Sequence, residues 1–343
     1  MLDDNNYIDR IDPDGGLKVA TEQPGQLDLK VDTEIDIDAK SISNVVVAGM
    51  GGSALAAGIC QNWWRDRLDV PMEVVRGYDL PAYVDNSTLV VCSSYSGNTE
   101  ETLAAFADGK AKGAQVVSIA SGGKLKEQAE EADLTFITIP DGYQPRMAVW
   151  FGVKALSVLF EEAGLVEGAS EELANAQVLL YAAADEWSQE SATENNQAKK
   201  LAESIMGKAV WVYSGPALES AAYKWKIDIN ENAKNVASWN VLPEMNHNEF
   251  IGWTSHPVEK PFAVVELRSH LDHPQVVKRF DATNKLLSGR MPAPQEVEVK
   301  GHSLIEQILW SCLLGDFVSI YQGILNGVNP VRVDAIEKLK KEL

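Results

Sequence analysis

The chain has 343 residues, with 30 Lys and Arg against 50 Asp and Glu for a formal charge of −20, and 45% hydrophobic and 8% aromatic residues. An acidic globular composition of this kind argues against a general nucleic-acid or anionic-membrane binder, because those partners demand clustered Lys and Arg. The length exceeds the roughly 100–200 residues that one core usually organises, so two domains acting on a small molecule are expected.

Residues 1–40 are polar, acidic and weakly patterned, and read as an N-terminal leader. The opening Met1-Leu2-Asp3-Asp4-Asn5 lacks the basic-then-apolar order of a signal peptide, which points to a cytoplasmic protein. From Asn44 the pattern changes. Val45-Val46-Val47-Ala48-Gly49 is a short continuous apolar run closed by glycine, and a helix-compatible segment from Ala54 to Trp64 follows. The same alternation recurs at Met72–Val75, at Leu89–Ser93 with a helix from Thr99, at Gln115–Ile119 with a helix from Lys124, and at Thr135–Ile139. Runs apolar on both faces and separated by helices imply a parallel sheet covered on both sides, here of about five strands.

Residues 147–206 hold no convincing strand and no proline, and their Ala, Glu and Leu richness over Glu171–Ala184 and Asn196–Met206 predicts helices. The strand-helix rhythm restarts at Lys208–Gly215, with a helix over Ala217–Asn232, strands at Phe262–Leu267 and Glu296–Val299, and a long apolar helix over Ser303–Leu325. Its apolar stretch, Ile308–Leu325, carries Ser311, Asp316, Ser319 and Gln322, and falls short of a clean span of about 20 apolar residues. It reads as a core or interface helix, with no membrane partner. The expected fold class is α/β: a leader over 1–40, a first open parallel-sheet domain over 41–165, a helical linker over 166–206 and a second, similar domain over 207–343. The three cysteines, Cys60, Cys92 and Cys312, lie far apart in apolar runs and read as buried reduced thiols.

In an open parallel sheet, ligands bind outside the carboxyl ends of the strands, where helix N-termini offer free N–H groups. Two loops stand there. Gly49-Met50-Gly51-Gly52-Ser53-Ala54 lets backbone approach an anion, and Ser53 can cap the helix while offering its hydroxyl. Ser93-Ser94-Tyr95-Ser96-Gly97-Asn98-Thr99 surrounds a flexible glycine with hydroxyls at a helix start, a neutral cradle for phosphate. Each loop alone could be plain turn and cap chemistry. The first also satisfies G-x-G-x-x-A, with Glu73 placed to serve a ribose, so a nicotinamide enzyme is a rival reading. No G-x-x-x-x-G-K-[ST] occurs. Further along, Glu231 near a helix end and His247 in a later loop form a pair suited to moving protons, or else a solvated helix residue and a loop hydrogen-bonder. Glu244 and His247 have E-x-x-H spacing without the companion motif a di-metal site needs, and His256, His270, His273 and His302 show no ligand spacing, so no metal is expected. Gln144-Pro145-Arg146 places one cation near the strand ends, or is a turn with a surface arginine.

Together these motifs resemble the sugar isomerase (SIS) domain family, and within it the bifunctional phosphoglucose/phosphomannose isomerases. The likeness runs through Gly49–Ser53, Ser94–Thr102, Gln144–Arg146, Ile229-Asn230-Glu231-Asn232-Ala233-Lys234, Pro243–Glu249 and the closing Ile336–Lys340. The resemblance implies two tandem SIS domains and a homodimer with active sites near the subunit interface. It implies interconversion of glucose 6-phosphate or mannose 6-phosphate with fructose 6-phosphate, with no metal or redox cofactor. Carried over by motif, Gly51, Gly52, Ser53, Ser94, Ser96 and Thr99 would hold the phosphate and Glu231 would move the proton between C1 and C2. His247, reaching in from the partner subunit, and Lys340 would assist ring opening, and Arg146 would stabilise the enediolate. The chain departs from many relatives in having Ala54 for glycine, and its ending Leu339-Lys340-Lys341 leaves the register of the functional lysine between Lys340 and its neighbours. SIS domains also occur in regulators that sense sugar phosphates without turnover, an alternative that predicts the cradle without Glu231, His247 and the terminal lysine.

Overall fold

The computed structural model describes residues 1–35, 37–254 and 261–342, without the side chains of residues 340 and 341. In chain order it contains α1 (Asn5–Ile11), α2 (Gly16–Glu22), β1 (Asn44–Gly49), α3 (Gly51–Trp64), β2 (Met72–Val75), β3 (Thr88–Ser93), α4 (Glu100–Ala111), β4 (Gln115–Ala120), α5 (Gly123–Glu131), β5 (Phe136–Thr138), α6 (Val149–Glu162) and α7 (Ala169–Glu186). These are followed by α8 (Gln197–Ile205), β6 (Ala209–Ser214), α9 (Glu219–Asn232), β7 (Ala237–Val241), α10 (Glu249–Gly252), β8 (Phe262–Arg268), α11 (Pro274–Leu286), β9 (Gln295–Glu298), α12 (Leu304–Leu325) and α13 (Asp334–Glu342).

The chain forms two compact units, a contiguous one over 23–177 and a two-segment one made of 1–22 and 178–343. The segment read as a leader gives α1 and α2 to the two-segment unit and the rest, from Gln23, to the contiguous one. The segment read as a linker is helical, as α7 and α8.

In the contiguous unit five strands run parallel in the order β2-β1-β3-β4-β5. Its central strands bear no polar face because both faces are covered: every residue of β3 is buried, as is every residue of β1 after Asn44. Val46, Ala48, Val90, Cys92 and Val116 pack with Phe106 of α4 and Leu125 of α5 on one face. The strand order reverses direction between β1 and β3, so the loops leaving these two strands open a crevice at the carboxyl edge of the sheet.

The two-segment unit repeats the plan with four parallel strands in the order β7-β6-β8-β9. Its central helix, α12, starts from a reciprocal cap in which Ser303 and Glu306 satisfy each other's backbone N–H groups. The helix is long and apolar enough to cross a membrane by composition, yet the whole of its apolar window is buried inside the protein, as the core-helix reading expected. The chain ahead of α3 is tied down locally. Asp3 accepts from Thr193 and Lys199, and Gln26 donates to the Met147 carbonyl at 2.6 Å.

Candidate functional site

The crevice of the contiguous unit is lined by the two glycine- and hydroxyl-bearing loops. α3 begins at Gly51 with Met50 as its N-cap, and the first intrahelical bonds run from Ser53 and Ala54 to the Met50 carbonyl. The N–H groups of Gly51 and Gly52 therefore precede the helical ladder and can serve an anion. Ser53 does not cap the helix, contrary to expectation, because the helix starts two residues before it. Its Oγ instead accepts the Tyr95 N–H at 3.0 Å, which clamps one loop to the other. Gly52 is required by contact: a Cβ there would lie 2.2 Å from the Pro145 carbonyl oxygen and 3.0 Å from the Arg146 nitrogen.

The second loop is held from below by α5. Gly97, at φ +67°, sits so close to the next connection that a Cβ would fall 1.8 Å from the Gly122 oxygen, and its carbonyl accepts from Leu125 at 2.9 Å. The Tyr95 carbonyl accepts from both the N–H and the hydroxyl of Ser121, and Asn98 Oδ1 accepts the Lys124 N–H at 3.1 Å. Within the loop, the Ser94 hydroxyl donates to Thr99 Oγ1 at 2.9 Å and the Asn98 N–H reaches Ser96 Oγ at 3.3 Å. Ser53, Ser96 and Thr99 thus use oxygen lone pairs inside the protein and keep their hydroxyl hydrogens for a ligand. Ser96 is exposed, Thr99 and Ser53 are half-buried and Ser94 is buried. Glu100 and Glu101 in the first turn of α4 complement its dipole.

Arg146 joins this group. It lies in the 3-10 turn Pro145–Met147, packed by its backbone against Gly52, and the preceding loop is tied to the cradle by the Tyr143 N–H donating to Tyr95 Oη at 2.9 Å. At 2% exposure it is no surface arginine. Glu73, weighed as a ribose ligand, accepts the Tyr83 hydroxyl at 2.5 Å.

In the two-segment unit the matching crevice lies between β6 and β8, and it is filled from within. The Asp272 carboxylate accepts the Ala217 N–H at 3.0 Å and presses on Gly215, where a Cβ would lie 2.1 Å from Oδ2. Glu231 lies at the other end of this sheet, half-buried in the last turn of α9. Its motif neighbours close the helix: Asn230 Nδ2 donates to the Asn235 carbonyl at 2.8 Å, Asn232 Nδ2 to Ser319 Oγ at 2.8 Å, and Lys234 adopts φ +51° with its Nζ on the Asn329 carbonyl. Asn235 Nδ2 in turn donates to the Lys208 carbonyl at 2.7 Å, at the amino edge of β6.

His247 ends a short 3-10 turn, Glu244–His247, beyond the carboxyl end of β7. The Leu242 N–H donates to the Ser214 carbonyl at 2.9 Å, which sets this turn at the carboxyl edge of β6. The residues around it are anchored: Met245 is buried, Asn246 donates to Thr283 Oγ1 at 2.9 Å, and Glu249 accepts from Tyr213 at 2.5 Å and from Asn240 at 2.7 Å. The histidine itself is exposed. Glu231 and His247 of one chain are therefore at opposite edges of the sheet, separated by the five residues of β7, about 15 Å by strand rise. Lys340 belongs to α13, but its side chain lies outside the described residues, as does His256 entirely. Among the described residues, no group of three or more His, Cys, Asp or Glu is arranged to hold a metal ion.

Two α/β units with parallel sheets, one carrying a hydroxyl-lined crevice at its switch point, define a double sugar isomerase domain protein. Residues 39–160 match the SIS domain and residues 194–343 the bacterial phospho-glucose isomerase C-terminal SIS domain. Among curated relatives, the bifunctional phosphoglucose/phosphomannose isomerase of Caldicellulosiruptor bescii is 38% identical over 311 residues, covering 90% of this chain and 92% of the relative. That of Aquifex aeolicus is 35% identical over 312 residues, covering 90% and 93%. The fold is shared with a glucose-6-phosphate isomerase-like protein from Thermus thermophilus, at a TM-score of 0.69 and 17% identity over 100% of this chain and 99% of that one. The chain belongs to the bifunctional phosphoglucose/phosphomannose isomerase family.

Proposed function

We propose that this protein interconverts glucose 6-phosphate and mannose 6-phosphate with fructose 6-phosphate by proton transfer through a cis-enediol. The observation that carries this reading is the family membership, at 38% identity across 90% of the chain. The geometry of the cradle supports it. The Gly51 and Gly52 amides and the Ser53, Ser96 and Thr99 hydroxyls supply neutral donors for the phosphate, with Ser94 bracing Thr99. Holding the substrate by a group remote from the reacting carbons fixes C1 and C2 and lends binding energy to the barrier.

Glu231 acts as the base that takes the proton from C2 of the aldose and returns it at C1. Return to either face of the planar enediol at C2, after rotation about C2–C3, lets one carboxylate serve both sugars. Arg146 balances the negative charge that builds on the enediolate oxygens. His247 and Lys340 act on the ring oxygen in opening.

The enzyme works as a cytoplasmic homodimer in which His247 enters the site of the partner subunit. The separation of Glu231 and His247 across β7 supports this arrangement, since one chain does not hold both at a single reacting centre. Mixing subunits tests it. Glu231→Gln and His247→Gln are each inactive alone, whereas randomly reassociated mixtures regain about one quarter of wild-type fructose 6-phosphate formation, because half the dimers are mixed and one of their two sites is intact. Mixtures as inactive as the parents would refute the shared site.

A further inference from the structure

Between α9 and α12 runs a line of polar side chains shut off from solvent. Lys224 Nζ donates to Asp228 Oδ2 at 2.7 Å and to Asp316 Oδ1 at 2.6 Å. One turn onward, Asn232 Nδ2 donates to Ser319 Oγ at 2.8 Å, and that hydroxyl donates to the Asp316 carbonyl at 2.9 Å. Asp316 is 1% exposed and the other four are 0% exposed. Lys224, Asp228 and Asn232 stand four residues apart along one face of α9, and Asp316 and Ser319 stand three apart along one face of α12. The helices meet closely there: Trp225 donates to the Ser311 carbonyl at 2.7 Å and lies where a Cβ on Gly315 would come within 2.6 Å of it. Burial alone would pull the Lys224 ammonium toward neutrality, but the Asp228 and Asp316 carboxylates more than reverse this and hold it charged.

Such a cluster is a poor source of stability, because apolar side chains of the same volume usually hold two helices together as well or better. What it has that an apolar contact lacks is a single allowed register. Sliding α9 along α12 by one residue, about 1.5 Å, breaks together the three bonds that cross between the helices, Lys224 to Asp316, Asn232 to Ser319 and Trp225 to the Ser311 carbonyl. Glu231 is the residue immediately before Asn232, at the end of the locked segment.

We propose that the Lys224–Asp228–Asp316 cluster and the Asn232–Ser319 bond are positioning residues that fix the axial register of α9 and so set the carboxylate of Glu231 against the substrate carbons. The inference rests on Glu231 being the base. A misplacement of about 1 Å costs on the order of a hundredfold in rate, so the effect falls on turnover and leaves phosphate binding alone.

The test replaces the cluster in the full-length protein by Lys224→Met, Asp228→Leu and Asp316→Leu together. The expected variant is folded, melts at or above the wild-type temperature, keeps KM within about twofold and loses at least about tenfold in kcat. Its primary isotope effect with C2-deuterated glucose 6-phosphate rises, because proton removal becomes the slow step. A merely structural role would lower the active fraction and leave the isotope effect where it was. Wild-type kcat in the folded variant, or a lower kcat with an unchanged isotope effect, overturns the proposal. Should the triple variant not fold, Asn232→Ala with Ser319→Ala removes no charge and is read by the same two outcomes. Glu231→Gln is measured alongside. If it keeps turnover, the base assignment fails and the inference with it; if it is inactive while the triple variant matches wild type, only the positioning role fails.

Discussion

Gly52→Ala and Gly58→Ala make the same chemical change on the same helix and should act in opposite directions. A Cβ on Gly52 would lie 2.2 Å from the Pro145 oxygen and 2.5 Å from its carbonyl carbon. Ordinary contact needs about 3.5 Å, so backbone has to move by roughly 1 Å, and no flexible side-chain end is there to yield. Overpacking of this kind costs about 1–3 kcal/mol, which lowers Tm by several degrees in a unit of this size. The shift would also carry the Gly52 amide and the Ser53 hydroxyl away from the proposed phosphate position. Each lost charge-assisted bond is worth about 1.5–3 kcal/mol, so KM for either aldose 6-phosphate should rise roughly ten- to a hundredfold. At Gly58 a Cβ meets only Arg76 Nη2, at 3.8 Å. Replacing that mid-helix glycine should stabilise by about 0.5–1 kcal/mol with KM unchanged. Thermal melts and steady-state kinetics on both variants decide the matter. A Gly52→Ala protein with the Tm and KM of Gly58→Ala would refute the close-packed cradle.

Three further outcomes follow from the same structure. Lys224→Met alone leaves the Asp228 and Asp316 carboxylates buried without their cation and should destabilise by about 3–5 kcal/mol in thermal or urea unfolding; a loss below about 1 kcal/mol would show that the pair is not held ionised. Burial pushes the Cys60, Cys92 and Cys312 thiols up, Cys92 to about 12, so none should react with a disulfide reagent at pH 8 until denaturant is added. A stoichiometric reaction in the native protein would contradict that burial. With its hydroxyl in the proposed role, at the phosphate and not at the carbons, Ser96→Ala should raise KM severalfold and leave kcat nearly intact; a fall in kcat at unchanged KM would place Ser96 elsewhere in the reaction.

The central strands were legible because a parallel strand buried on both faces leaves a continuous apolar run, and β1, β3, β4 and β6 all do. β7 was not, because Ala237-Ser238-Trp239-Asn240-Val241 is an edge strand, mostly half-buried, without clean alternation. α11 carries a helix signal of its own in the sequence, outside the strand-helix alternation: Pro274 at its first position, the His273 cap and buried Val276, Phe280, Thr283 and Leu287 at helical spacing. Both cradle loops and Arg146 were visible as motifs at strand ends, whereas the clamp of Tyr95 by Ser53 and the burial of Arg146 depend on contacts between distant segments. The Lys224 cluster shows the limit most clearly. Lys and Asp four apart on a helix look like a solvent-facing pair, and only the approach of Asp316 from α12 makes them a buried one.

The most direct measurement is the rate of fructose 6-phosphate formation from glucose 6-phosphate and, separately, from mannose 6-phosphate, by wild type and Glu231→Gln in the presence of EDTA. One base serving two sugars without metal predicts that wild type converts both, and that Glu231→Gln loses both together by at least about a thousandfold while still binding substrate. Conversion of neither sugar by folded wild type, or survival of one conversion in Glu231→Gln, would contradict the account.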